Sequence, residues 1–221
     1  MTDPPYGNTR NHWDKVTNLN RMFREFKRII KPHGVIVFFS QLPFAVDLIN
    51  ACRKLYRYEW IWQKTSPVGF LNANRMPMRA HENILVFYKH LPKYRPIYRG
   101  GYKPYKAQNV PKNTKDYGHY QTTISASDGK RFPIDVIKCA KPNSNKHRFH
   151  PTEKPVELLE YLIETYTEEG DKILDPFMGS GSTGVACNVL NRRFIGVELS
   201  EEYFEVAKMR IITAGTEQSR R

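Results

Sequence analysis

The four residues Asp3-Pro4-Pro5-Tyr6 combine groups that could bind a flat ligand carrying an amino group. The two prolines hold the backbone extended and have no backbone N–H of their own. The ionised Asp3 carboxylate and the Pro4 carbonyl are acceptors, and the Tyr6 ring offers a stacking face. An adenine or cytosine turned out of a duplex is a ligand of this kind. An ordinary Asp-Pro turn is the competing interpretation, and these four residues alone do not separate the two.

A glycine-rich segment near the other end of the chain forms a second candidate site. Residues 175–184 read Asp-Pro-Phe-Met-Gly-Ser-Gly-Ser-Thr-Gly, between a predicted strand and a predicted helix. Glycines there let the backbone approach a ligand closely, and the free N–H groups at the helix start attract an anionic group. Glu198 ends the next predicted strand, where a carboxylate can bind both ribose hydroxyls. The predicted cofactor-binding residues are Asp175, Pro176, Phe177, Gly179, Ser180, Gly181, Thr183, Glu198, Thr152 and Lys154.

The spacing of this segment admits two kinds of cofactor. Residues 179–184 spell the G-x-G-x-x-G fingerprint of dinucleotide-binding proteins, so NAD has to be considered. Few residues follow Glu198, which leaves no room for the remaining strands of a dinucleotide domain, and the loop lacks an obvious pyrophosphate partner. A single adenosine with a short charged tail fits better, which indicates S-adenosylmethionine. For Lys154, contact with the carboxylate of the cofactor and capping of a neighbouring helix both stay open.

Charge and composition restrict the class of protein. The 221 residues are 40% hydrophobic and 13% aromatic, which predicts one folded α/β domain with an inserted lobe. A net charge of +13 favours a polyanionic partner, nucleic acid before an acidic membrane. No apolar run reaches the length of a bilayer span, and the first residues show no signal-peptide pattern. We therefore expect a cytoplasmic, nucleoid-associated protein without membrane contact.

Cysteine and histidine spacing argues against a metal site. Cys52, Cys139 and Cys187 are scattered and include no Cys-x-x-Cys pair, which is typical of a reduced cytosolic protein. The histidines likewise show no metal-ligand spacing. We expect no metal cofactor.

Alternating helix and strand patterns must position the two candidate sites. In the first half, helical spacing of apolar residues and β-branched runs predict helices at 17–31 and 43–55 and strands at 35–39, 58–62 and 84–88. In the second half, a helix after Pro155, a strand at 172–175, a helix at 183–190, a strand at 193–197 and a helix at 200–212 follow. Strands alternating with helices predict a mainly parallel sheet covered on both faces.

The middle of the chain departs from this pattern. Residues 89–149 contain fourteen Lys or Arg against three Asp, with tyrosines interleaved among the basic residues. Basic side chains neutralise phosphates and rings stack on bases, so this insertion is predicted to bind nucleic acid. A solvated basic loop region without a binding function is the alternative. We divide the chain into 1–88, 89–149, 150–212 and a tail at 213–221. The predicted DNA-binding residues are Lys103, Tyr105, Lys106, Lys112, Lys115, Lys130 and Arg131.

Four motifs in order resemble the β group of DNA amino-methyltransferases, which make N6-methyladenine or N4-methylcytosine. Residues 3–6 resemble the catalytic motif of that family, and residues 81–87 (His-Glu-Asn-Ile-Leu-Val-Phe) resemble a following strand. Residues 150–155 resemble its His-Pro-Thr-Gln-Lys-Pro motif with Glu153 in place of Gln, and residues 175–181 resemble its cofactor loop. The resemblance covers almost the whole chain. It implies a Rossmann-like S-adenosylmethionine-dependent methyltransferase sheet in permuted order, an inserted target-recognition lobe at 89–149, and double-stranded DNA as substrate.

The resemblance implies a mechanism for the catalytic motif. Asp3 and the Pro4 carbonyl would accept the two N–H bonds of the exocyclic amine, which would localise its lone pair for direct methyl transfer. Tyr6 would stack on the flipped base, with Phe39 or Trp13 on its second face. We expect adenine N6 as the target because Asp leads the motif, whereas cytosine members resembling this family more often have Ser there. N4 of cytosine is the alternative.

One departure from the family pattern keeps a third function open. The family has a hydrophobic strand before the catalytic motif, whereas only Met1 and Thr2 precede Asp3 here. A catalytically inactive DNA-binding fragment is therefore an alternative to an active enzyme. A homodimer and a cognate restriction endonuclease are further partners that the resemblance leaves open.

Overall fold

A computed structural model describes residues 1–7, 17–109, 123–142 and 153–218. In that part of the chain the helices are α1 Leu19–Ile29, α2 Phe44–Ala51, α3 Val156–Tyr166, α4 Ser182–Val189 and α5 Glu201–Gln218. The strands there are β1 Ile36–Ser40, β2 Tyr56–Val68, β3 Arg79–Phe87, β4 Tyr105–Asn109, β5 Thr123–Ser127, β6 Val136–Cys139, β7 Lys172–Asp175 and β8 Arg193–Gly196. None of the helices in these ranges is long and apolar enough to cross a membrane.

Within the described residues the largest sheet has the order β1-β3-β2-β6 and is mixed rather than mainly parallel. The ladders β1–β3 and β2–β3 are antiparallel, and only β2–β6 is parallel. The expectation of a mainly parallel sheet was therefore wrong for this half. Its physical reason is the connection between β2 and β3, which is a hairpin with a single 3-10 turn at Phe70–Asn72 and has no crossover helix.

Alternate residues of β1 and β3 build the two halves of the core. Val37 and Phe39 face one cluster with α3 and α4, and Ile36 and Phe38 face the other with α1 and α2. Side chains of a strand alternate between faces, so a run of apolar residues is the pattern of a strand covered on both sides. The expectation of helices on both faces is thus confirmed.

Thr2 connects the Asp3-Pro4-Pro5-Tyr6 segment to the sheet. It pairs with Phe38 as a parallel bridge, donating its N–H to Val37 O at 2.9 Å and accepting from the Phe39 N–H at 3.0 Å. The Met1 amino group donates to Leu174 O of β7 at 3.0 Å. These bonds place Thr2 between β1 and β7, so Asp3 emerges at the carboxyl end of β1 with an anchored backbone.

The chain separates into two units that are described individually. The larger unit comprises residues 1–95 and 135–221 and contains both candidate sites. The smaller unit, residues 96–134, lies within the predicted insertion and contains the antiparallel pair β4–β5. The larger unit also contains the parallel pair β7–β8, whose carboxyl ends lead into the glycine-rich segment and Glu198.

Candidate active site

The Asp3 carboxylate is held from two sides. The Tyr6 hydroxyl donates to Asp3 Oδ1, and the Lys154 ammonium donates to Asp3 Oδ2. The Tyr6 ring stacks on Phe44 at the start of α2, with centroids 5.2 Å apart and ring planes at 29°. Prolines at positions 4 and 5 keep this short segment extended, so the carboxylate, the Pro4 carbonyl and the ring come from one rigid stretch.

A row of alternating charges runs from Asp3 into the protein through Lys154, Glu82 and Lys64; we call these four residues the charge row. Lys154 Nζ lies 3.4 Å from Glu82 Oε2, and Lys64 Nζ lies 2.5 Å from Glu82 Oε1. Glu82 is only 6% exposed and Lys154 only 9%. Buried charges persist only when they are paired, which this alternation achieves. The two ammonium groups also lie over aromatic rings, Lys64 at 5.1 Å from the Trp62 centroid and Lys154 at 5.2 Å from that of Phe39.

Burial and the opposite charges of the neighbouring residues shift the pKa values of these groups in opposite directions. Burial raises the pKa of Asp3, and the attraction of Lys154 offsets part of that rise. For Lys154, burial disfavours the ammonium, but the carboxylates of Asp3 and Glu82 prevail and raise its pKa. Burial likewise disfavours the ionised Glu82, yet Lys154 and Lys64 together hold the pKa of Glu82 below its usual range. The charge row therefore keeps Lys154 protonated beside Asp3 and Glu82.

The glycine-rich segment turns tightly because two of its glycines adopt left-handed backbone angles. Gly179 has φ of 51° and Gly181 has φ of 80°, a region that costs any other residue strain. A Cβ on Gly181 would also lie 2.8 Å from Ala207 Cβ of α5. Gly181 caps α4, so the helix begins directly at the turn.

Glu198 is fixed beside this turn by backbone donors. Its Oε2 accepts from the Gly179 N–H at 2.9 Å, and its Oε1 accepts from the N–H groups of Leu199 at 2.9 Å and Ser200 at 3.0 Å. A carboxylate has about four lone-pair sites, so about one is left for a hydroxyl donor. An oriented carboxylate next to left-handed glycines fits the ribose and tail of an adenosine cofactor.

The Asp175 carboxylate accepts hydrogen bonds from both ends of the glycine-rich segment and from Thr2. Its Oδ1 accepts from Thr2 Oγ1 at 2.7 Å and from the Phe177 N–H at 3.2 Å, while its Oδ2 accepts from Thr183 Oγ1 at 2.7 Å. Burial raises the pKa of Asp175, and the nearby Met1 ammonium and these donors counteract it. Asp175 and Thr183 thus join the turn to the catalytic motif through Thr2, a contact that the sequence analysis did not anticipate.

Glu153 and Arg210 hold the other side of the loop. Arg210 donates to Ser180 O at 2.7 Å and Ser180 Oγ at 2.8 Å, and its second terminal nitrogen pairs with Glu153. Glu153 Oε1 also accepts from Ser182 Oγ at 3.2 Å. The Glu that replaces the Gln of the resembled motif therefore carries an ion pair to α5.

The structure brings several predicted site residues together and places others elsewhere. Phe177 and Tyr6 both pack against the cluster formed by α1, α2 and one face of the sheet, and Pro176 is partly buried beside Phe177. Lys154 contacts Asp3 and Glu82, which neither of its two predicted roles described. Phe39 is 1% exposed in the core, so its prediction as a second stacking face was wrong. Thr152 and Trp13 lie outside the described residues.

Three of the predicted DNA-binding residues, Lys103, Tyr105 and Lys130, contact the guanidinium of a fourth, Arg131. Arg131 donates to Ser127 Oγ at 2.6 Å and Lys103 O at 2.9 Å, and its guanidinium carbon lies 4.5 Å from the Tyr105 ring centroid. These contacts make Arg131 a structural centre of the unit. Lys103, Lys106 and Lys130 are exposed, whereas Lys112 and Lys115 lie outside the described residues. DNA contact by these residues stays a prediction.

Lys64 and Glu82 are site residues that sequence reasoning missed, although a signal for them exists. In β2, Lys64 lies two residues after Trp62 and on the same buried face as Trp60 and Trp62. In β3, Glu82 lies two residues before the buried Ile84 and is itself buried. A charged residue at a buried strand position needs a partner, because an unpaired buried charge is costly. Two such positions on neighbouring strands would have predicted the ion pair.

Comparison with known proteins agrees with the geometry. Residues 1–209 match the N6/N4 methyltransferase family model, described as DNA methylase. The chain is 31% identical to the Type II methyltransferase M.HpaI of Haemophilus parainfluenzae, covering 96% of this chain and 67% of that protein. It is also 31% identical to the Type II methyltransferase M2.DpnII of Streptococcus pneumoniae, over 90% of this chain and 70% of that protein.

Solved structures show the same fold. The complex of M1.HpyAVI with SAM superposes with a TM-score of 0.64 at 28% identity, covering 95% of this chain and 86% of that one. The PvuII DNA methyltransferase, described as cytosine-N4-specific, gives a TM-score of 0.62 over 100% of this chain and 83% of that one. Its 18% identity supports the fold alone. The expected α/β methyltransferase fold is confirmed, and the chain belongs to the DNA methylase family of N6 and N4 amino-methyltransferases.

Proposed function

We propose that this protein transfers a methyl group from S-adenosylmethionine to the N6 amino group of adenine in double-stranded DNA. The observation that carries the choice of adenine is the Asp3 carboxylate at the head of the motif, paired with a buried lysine. A serine at that position could not neutralise Lys154 in the same way. The charge row therefore supports a carboxylate as the acceptor for the substrate amine.

The residues of the chain act on the target base by position and field. Asp3 and the Pro4 carbonyl accept the N–H bonds of the amine, which concentrates its lone pair toward the incoming methyl group. Tyr6 orients Asp3 through its hydroxyl and presents its ring to the flipped base. After transfer, the proton of the amine leaves through Asp3 or water. The thiol of Cys187 is unsuited as a nucleophile, since burial raises the pKa of Cys187 to about 12.

The loop at 175–184 and Glu198 would hold the cofactor. The Glu198 carboxylate would accept a ribose hydroxyl, and the left-handed turn at Gly179 and Gly181 would let the backbone approach the ligand. S-adenosylmethionine supplies, when bound, a methyl group activated by a positively charged sulfur. No covalent enzyme intermediate is required.

The direct test is transfer of labelled methyl from S-adenosylmethionine to unmethylated DNA, followed by nucleoside analysis of the product. We expect N6-methyldeoxyadenosine from the wild-type protein and none from Asp3→Ala, while cofactor binding by Asp3→Ala largely persists. Detection of N4-methyldeoxycytidine as the product would identify cytosine, and not adenine, as the target base. Full activity of Asp3→Ala would refute the role of Asp3.

A protein that binds DNA through residues 89–149 without catalysis is the second candidate, and the basic residues of that segment motivate it. The bonds of Thr2 to β1 and to Asp175 favour the enzyme, because they anchor the backbone directly before Asp3. Binding of DNA by a folded protein that transfers no methyl group would favour the second candidate. The Type II names of two relatives support a cognate restriction endonuclease as a partner, and a homodimer stays a prediction.

A further inference from the structure

The β2–β3 hairpin extends beyond the edge of the sheet where the catalytic motif lies. The last pair between β1 and β3 is Ser40 with Asn83, but β3 begins four residues earlier, at Arg79. At the rise of an antiparallel strand, these four residues extend about 13 Å past the end of β1. Because Thr2 runs parallel to β1, Asp3 lies at the same carboxyl edge from which the hairpin projects.

Large apolar side chains stand exposed at the tip of this hairpin. Phe70 is 78% exposed, Leu71 94% and Met76 58%. The turn that carries them is formed by regular hydrogen bonds, from the Asn72 N–H to Gly69 O and from the Ala73 N–H to Phe70 O, both at 3.0 Å. The tip therefore holds its apolar side chains outward in a defined turn, where they gain nothing from burial.

The surroundings of the tip are basic and its base is tied to the catalytic centre. Residues 65–81 include Arg75 and Arg79 and contain no Asp or Glu, so the hairpin suits a polyanion. Arg79 donates to the side chain of Gln41 at 2.9 Å, directly after β1. The arms of the hairpin carry Lys64 and Glu82 of the charge row, so the tip and Asp3 belong to one connected framework.

We propose that Phe70 and Leu71 form an apolar wedge that enters the base stack of duplex DNA and occupies the space left by the flipped target base. The inference rests on the proposed function, since only a target drawn out of the duplex leaves such a gap. Extruding a base costs unstacking and unpairing, and apolar side chains inserted between base steps are a known physical means of offsetting that cost. The wedge stands at the edge where the base must leave the helix.

The test compares Phe70→Ala/Leu71→Ala with the wild type on two duplexes. The methylated site is first mapped on DNA treated with the wild-type protein and then placed in synthetic duplexes, one with the target base paired and one with it mismatched. The matched control is Leu91→Ala, because Leu91 is 75% exposed but follows β3 at the opposite edge of the sheet. Both variants change only exposed side chains, so we expect their stability to equal that of the wild type, and unfolding curves of the three proteins check this.

We expect the double variant to lose about tenfold or more in kcat on the paired duplex and to recover most of this loss on the mismatched one, where extrusion costs less. The control should match the wild type on both duplexes. With 2-aminopurine at the target position, saturating wild-type protein should raise the fluorescence, and the double variant should raise it markedly less.

Three outcomes would overturn the wedge. Equal rates for wild type and double variant, or an equal loss on both duplexes, would show that the tip does not assist extrusion. A change in sedimentation of the double variant with unchanged base extrusion would assign the tip to contact with a second copy of the chain. If the wild-type protein itself transfers no methyl group to any DNA, the proposed function fails and the wedge fails with it. This outcome is distinct from failure of the wedge alone, in which the wild-type protein still methylates DNA.

Discussion

At the scale of single residues, the charge row explains how a mostly buried carboxylate can serve as an acceptor. Burial raises the pKa of Asp3, and Lys154 is the group that limits that rise. Lys154 is itself kept charged by Glu82 as well as by Asp3. Glu82 acts on Asp3 in two opposite ways. Its negative charge adds to the rise in the pKa of Asp3, and it also keeps Lys154 protonated, which lowers the pKa of Asp3.

The substitution Lys154→Met should shift the acid limb of the pH–rate profile to higher pH. In the proposed mechanism the amine is accepted by ionised Asp3, so activity should fall as the pH drops through the pKa of Asp3. Removing the ammonium removes the contribution that lowers this pKa, so protonation of Asp3 sets in at higher pH. The measurement is methyl transfer across a pH series, normalised to the maximum of each variant.

The control for this substitution is Lys154→Arg, which keeps the positive charge and should leave the limb near its wild-type position. A Lys154→Met enzyme with lower activity but an unchanged limb would mean that Lys154 positions Asp3 without affecting its ionisation.

At the scale of elements, the glycine-rich turn depends on both backbone angle and close packing. Gly181→Ala would have to adopt φ of 80° and bring its Cβ to 3.0 Å from Ala207 Cα. We expect a loss of about 1–3 kcal/mol in the free energy of unfolding from strain, increased by displacement of α5. Cofactor affinity should fall as well, because the turn moves with Gly181.

Gly170→Ala provides the matched comparison for that experiment. Gly170 also has a positive φ, 78°, but apart from its chain neighbours no atom of the described residues lies within 4 Å of the position that a Cβ would take there. It should show the conformational penalty alone, about 1 kcal/mol, with unchanged cofactor affinity. Urea denaturation and calorimetric titration with S-adenosylmethionine measure the two effects, and equal behaviour of both variants would contradict the role of packing at Gly181.

Helix α3 is joined to β2 by a buried hydrogen bond that offers another test. Trp60 Nε1 donates to the Tyr166 hydroxyl at 2.7 Å, and Tyr58 and Tyr166 share a hydrogen bond of 2.8 Å. Tyr166→Phe leaves the buried Trp60 donor without its acceptor and should cost about 1–3 kcal/mol of stability. Tyr94→Phe is the control, since Tyr94 is half exposed and contacts Tyr166 by its ring, and it should change stability little. Equal stability of Tyr166→Phe and wild type in urea would contradict this account.

The elements also show how far the sequence alone can lead. Apolar periodicity predicted α1, α2 and α3, because one face of each helix is buried. A continuous apolar run predicted β1, which is buried on both faces. Strand direction was missed, because the β2–β3 connection contains no residue pattern that distinguishes a hairpin from a loop before a crossover. The length of β2 was missed as well, since Lys64 interrupts the apolar pattern and is buried only through Glu82, a partner distant in sequence.

At the scale of the whole molecule, the net charge of +13 is concentrated in the predicted insertion. A protein that neutralises phosphates releases counterions, so its affinity for DNA falls as the salt concentration rises. The slope of the logarithm of the affinity against the logarithm of the salt concentration is about −0.9 for each phosphate contact. Replacing Lys103, Lys106 and Lys130 together by Ala should reduce this slope by up to about 2.7 and weaken binding to all DNA sequences alike. Affinity measured across a salt series gives the slope.

The control removes the same amount of charge elsewhere. Arg24, Lys27 and Arg28 are exposed on α1, and their replacement by Ala should leave the slope close to that of the wild type. If both triple variants reduced the slope equally, binding would follow net charge and not the smaller unit.

The pairing of Glu153 with Arg210 has a consequence for how this sequence can diverge. Each residue neutralises the other between the glycine-rich segment and α5, so losing one removes this neutralisation from a largely buried place. A Gln at position 153 would therefore be tolerated best together with an uncharged residue at position 210. In a library randomised at both positions and selected for methylation, the surviving genes should carry the two changes jointly, as a linked pair of codons with few single-step intermediates.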